Sequence, residues 1–154
     1  MKKSLLWILP AALVACGSPA PETTETATPE VAAPAEPDYL AVPAGARVFF
    51  VNLTDGQVLK SPVVVEMGVE GMGIEPAGAL KEGTGHHHLL INGTTIVKGE
   101  TVPADAMNIH YGKGQTSDTL VMEPGNYTLT LQFANGFHQS YGDQMSATIN
   151  VTVQ

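Results

Sequence analysis

Five histidines carry most of the chemistry this sequence offers, and three of them are consecutive: His86-His87-His88, running into Leu89-Leu90-Ile91. Successive side chains of a β-strand point to opposite faces. His86 and His88 would therefore share one face with Leu90, and His87 the other with Leu89 and Ile91. Two residues along a strand span about 6.6 Å, and side-chain tilt can bring both nitrogens onto one ion at metal–nitrogen distances of about 2.0–2.1 Å. His-x-His is then half of a metal site. His110, in NIHYG, and His138, in GFHQ, are the candidates to complete it. Imidazoles without thiolates suit Cu or Zn rather than iron–sulfur chemistry. Two other roles are open to the same residues: pinning loops through hydrogen bonds, or taking up protons below neutral pH, since free imidazole titrates near 6.5 or so.

Other reactive groups offer less. Met67, Met72, Met107, Met122 and Met145 are possible soft ligands for Cu(I), although filling gaps in a core is the commoner use of methionine. No Gly-x-Ser-x-Gly elbow occurs, and the single cysteine excludes an intramolecular disulfide framework and any CxxC site. An enzyme is therefore poorly supported; a zinc-dependent hydrolase using Glu70, Glu75 or Glu82 as base is the form it would take. Lys113 between Gly112 and Gly114 could form a small anion nest, but a plain turn explains the two glycines better. Seven Lys plus Arg against fifteen Asp plus Glu give a net charge of −8, with no basic stripe, which excludes a nucleic-acid partner.

The cysteine belongs to a different chemistry. Residues 1–15 carry Lys2-Lys3 and an apolar run from Leu5 to Ala15, the pattern of a secretory signal and too short to span a bilayer. Leu13-Val14-Ala15-Cys16 resembles the lipobox of bacterial lipoproteins, in which the cysteine is lipidated and the signal cut before it. This implies a membrane partner through the lipid anchor at Cys16. Gly17, in place of the Asp that commonly retains such proteins in the inner membrane, implies the cell envelope at the outer membrane, facing the periplasm. Residues 16–43 follow with Pro, Ala and Glu in abundance; six Pro, five acids and no base fall in 17–43. Such a stretch cannot bury enough surface to order itself, and as an extended tether it would reach up to about 80 Å.

The elements that must position the histidines lie in residues 44–154. Tyr127, Leu129, Leu131 and Phe133 alternate with Thr128, Thr130 and Gln132, and Ile149, Val151 and Val153 with Thr148, Asn150 and Thr152. Apolar, β-branched runs at 47–52, 62–69, 86–92 and 118–123, separated by turn signals such as Asp55-Gly56 and Pro124-Gly125-Asn126, supply further strands. The expectation is an all-β, immunoglobulin-like antiparallel β-sandwich of about seven strands after a disordered N-terminal tether. Two Gly-rich connections, 71–85 and 93–106, are longer than such a sandwich requires.

Several of these stretches together, RVFF at 47–50, GMGIEPAG at 71–78, GHHHLLI at 85–91 and HYGKGQT at 110–116, resemble bacterial proteins carrying the domain of unknown function 4399. The resemblance implies an exported β domain and no particular activity. Those proteins often carry a further histidine three residues after the one matched by His138, where this chain has Tyr141. The sequence thus predicts a lipoprotein whose His-rich site binds Cu or Zn. The alternative is a scaffolding or adhesion module with structural histidines and an envelope protein or polymer as partner.

Overall fold

The computed structural model describes residues 36–154; the signal segment, Cys16 and the tether up to residue 35 lie outside the described residues. Among the described residues nine strands form: β1 (Arg47–Phe50), β2 (Gln57–Leu59), β3 (Val63–Glu70), β4 (Gly73–Ile74), β5 (Thr84–Ile91), β6 (Asn108–His110), β7 (Ser117–Leu120), β8 (Gly125–Ala134) and β9 (Ser146–Val153), with a 3-10 turn at Asp143–Met145. β1, β3 and β7 make one antiparallel sheet. The other runs β2-β9-β8-β5-β4, with β6 also paired to β5.

The period-two alternation builds the core. Val48, Val63, Val65 and Met67 from the first sheet meet Leu89, Leu129, Leu131, Phe133 and Val151 from the second in one buried cluster. The class is all-β, as expected. Two details depart from a purely antiparallel sandwich of about seven strands: β2 runs parallel to β9, and β4 parallel to β5. Both parallel partners are only two or three residues long, too short to leave an alternation in the sequence. Leu40 and Val42, which composition places in the tether, pack against the core, and the Gln144 side chain donates to the Pro43 carbonyl at 3.1 Å.

The long connection 93–106 covers the second face of β5 and β8. Leu90, Val102 and Ala134 form a small buried cluster there with Ile96 against it. Gln132 is tied to this cover, accepting the Ile96 N–H at 3.0 Å, and Ser140 donates to the Ile96 carbonyl at 2.8 Å. The central strand is therefore buried on both faces, and all three residues His86, His87 and His88 are fully buried.

Candidate metal centre

The strand alternation divides the histidine run as the sequence predicts. His87 faces the main core, where its ring meets Phe133 edge-on with centroids 5.1 Å apart, and neither of its nitrogens has a hydrogen-bond partner. His86 and His88 face the other way. β6 brings His110 directly opposite His88 in antiparallel register, so the two rings lie on one face, stacked with centroids 5.0 Å apart. The segment after β8 delivers His138.

That last placement depends on Asn135. Its carbonyl accepts the His138 N–H at 2.9 Å, and its side-chain oxygen accepts the N–H groups of Phe137 and Gln139 at 2.9 and 3.0 Å. The turn holds His138 at φ 65°, a left-handed conformation that a non-glycine residue keeps only when its surroundings fix it. Val102, from the covering connection, donates to the His138 carbonyl at 2.8 Å. Asn135 is the residue that sequence reasoning passed over; the Asn135-Gly136 pair was the available turn signal.

Four rings converge as a result. His86 Nε2 and His88 Nε2 are 3.1 Å apart, and so are His110 Nε2 and His138 Nε2. One nitrogen each from His86, His110 and His138 lie within 4.8 Å of one another. Two imidazole nitrogens on a tetrahedral ion with bonds of about 2.0–2.1 Å sit about 3.3 Å apart, so the observed pairs need only small ring movements to share an ion. A cluster serving to pin loops would send each ring to a different loop. Here the rings pair with each other, and the Nδ1 atoms of His86 and His88 are buried without a partner.

Burial also sets the protonation state. Loss of water pushes His86 down to about 4 and His88 to about 2, with the neighbouring imidazoles adding to the shift; His110 is lowered for the same reasons. Burial thus favours, for His86, His88 and His110, the neutral form in which imidazole binds a metal. Close approach by glycine makes room for them: a Cβ on Gly112 would lie 2.1 and 2.2 Å from atoms of the His110 ring.

Other candidate residues lie elsewhere. Met67, Met122 and Met145 are buried in the main core with Met72 packed against it, and Met107 is 45 % exposed. Tyr141 is buried and donates to the Thr84 carbonyl at 2.7 Å, tying its loop to the start of β5. The Lys113 N–H is taken by the Gln115 side chain at 2.8 Å, and Gly114 closes a turn on the Tyr111 carbonyl, so this loop is a turn. Cys16 lies outside the described residues.

Fold and site together define an all-β domain carrying a histidine cluster, with His86 and His88 buried and His110 and His138 half-buried, that could hold a metal ion. The model of the family described as Domain of unknown function (DUF4399) matches residues 65–154, more than half of the chain, and the chain belongs to that family. The matched region contains all five histidines. No curated protein and no solved structure matches the chain.

Proposed function

We propose that this protein is an exported, lipid-anchored envelope protein whose β domain binds a transition-metal ion, copper or zinc, through His86, His110 and His138, with His88 as a fourth donor. The observation that carries this reading is the pair of 3.1 Å Nε2–Nε2 approaches, one between two β5 residues and one between His110 at the end of β6 and His138 on the turn after β8. Gathering four imidazoles in a site that leaves two Nδ1 atoms buried and unpaired costs stability; a bound ion would offset that cost. A donor set of imidazoles suits the binding of a transition-metal ion.

Anchoring rests on the sequence Leu13-Val14-Ala15-Cys16, and the acidic, Pro-rich stretch after it would hold the domain away from the lipid surface. More than one acyl chain makes such an anchor stable. Gly17 favours the outer membrane, with the domain in the periplasm. The scaffolding alternative shares this location and treats the histidines as structural.

Calorimetric titration of the tag-free protein with Cu²⁺ and with Zn²⁺ tests the metal reading. Saturable binding that disappears in the His86→Ala/His88→Ala variant is the expected result. Binding that is absent, or unchanged in that variant, sinks it and leaves the scaffolding reading.

A further inference from the structure

The glycine-rich segment GMGIEPAG and the residues just after it take no part in the ligand set, yet one short piece of it touches the backbone beside three of the four histidines. Glu75 donates its N–H to the carbonyl of Gly85, the residue before His86, at 2.8 Å. Ala77 donates to the carbonyl of Gly112, two residues after His110, and Gly78 to that of Gly136, two residues before His138, both at 2.9 Å. Ala79 closes over Gly136 so tightly that a Cβ there would lie 1.7 Å from the Ala79 carbonyl oxygen.

We infer that residues 75–79 form a strap that positions the metal centre, fixing His110, at the end of β6, and His138, on the turn after β8, against His86 on β5. The inference rests on the metal reading above for its purpose, and on the hydrogen bonds for its geometry. His110 and His138 come from chain segments 28 residues apart, and their rings meet only if both turns are held at the right depth. His110 ends a three-residue strand, and His138 sits on a turn; neither element is long enough to fix its own end. The strap supplies the cross-tie, with one backbone donor to each turn. Its own base is closed by the ion pair of Lys81 with Glu75, which is exposed and adds little. Ala77, Gly78, Gly112 and Gly136 are thus positioning residues, acting through the histidines they place.

Two variants loosen the strap without touching a histidine: Ala77→Pro removes the donor to Gly112, and Gly136→Ala forces Ala79 away. Val65→Ala, in the core on β3, serves as a control that lowers stability elsewhere. Titration with Co²⁺ and Zn²⁺ should show the strap variants binding about 10- to 100-fold more weakly, as for lost outer-shell support, with an altered Co²⁺ absorption spectrum. Val65→Ala should keep the parent affinity and spectrum despite a lower melting temperature. Strap variants with the parent's affinity and spectrum would overturn the inference. Should the parent itself bind neither ion, the metal reading fails separately, and imidazole ¹⁵N signals of the metal-free protein decide about the strap. Displaced His110 and His138 signals in the strap variants support it; unmoved signals contradict it.

Discussion

His88 and His110 stand directly opposite each other on β5 and β6, and their stacked rings, with centroids 5.0 Å apart, join the β5 half of the histidine cluster to the half formed by His110 and His138. The register of β6 on β5 sets this pairing. A shift of β6 by one residue would turn His110 to the opposite face and dissolve the cluster. The most sensitive positions are therefore the ligands themselves and the few residues that hold their backbone.

Gly112→Ala should weaken metal binding by at least about tenfold, on the scale of lost outer-shell support, because its Cβ would fall within 2.2 Å of the His110 ring. Titration with Zn²⁺ checks this. Unchanged affinity would mean that the His110 ring is not needed where it lies.

Replacing His87 by Leu should stabilise the protein. Both of its nitrogens are buried without partners against Phe133, and an unsatisfied buried polar group costs about 1–3 kcal/mol. Its ring faces away from the other four, so metal affinity should stay the same. Denaturant unfolding and calorimetry give the two readouts; lost stability together with lost binding would assign His87 to the site.

Acid should destabilise the metal-free protein before its carboxylates titrate. His86 and His87 are lowered from 6.5 to about 4 in the folded state, chiefly by burial. Between those values the unfolded chain binds protons that the folded protein refuses, so stability is fully present above about pH 6.5 and falls as pH drops toward about 4. For the deeply buried His87 the loss is on the order of 3 kcal/mol at most. Urea midpoints measured across that range should fall with pH in the parent and fall less steeply in His87→Leu. Equal slopes would contradict the assignment.

Met145→Ala should lower stability by about 2–5 kcal/mol, as for other large-to-small core changes, since Met145 is fully buried in the main cluster. Cu(I) affinity should not change. A selective loss of Cu(I) binding with stability retained would make the methionine a ligand.

Much of this was legible in the residues. The alternation of Tyr127 to Phe133 and of Ile149 to Val153 announced β8 and β9, and GHHHLLI announced a strand with His86 and His88 on one face. Beyond reach were the elements that carry no period: β2, β4 and β6 are two or three residues long and owe their pairing to neighbours. The convergence of His110 and His138 on β5 is a tertiary fact, fixed by register on one side and by the Asn135 turn on the other. From composition the Gly-rich connections stand out only as longer than a sandwich requires; one covers the outer face of β5, and the other hydrogen-bonds to the backbone beside His86, His110 and His138.

X-ray absorption at the edge of the bound metal, on the tag-free protein loaded with one equivalent of Zn²⁺, tests the central claim most directly. Three or four nitrogen scatterers at about 2.0–2.1 Å, with the outer-ring pattern of imidazole, are the result the geometry predicts. A shell dominated by oxygen, or one unchanged in His86→Ala/His88→Ala, would contradict a histidine-built metal centre in this domain.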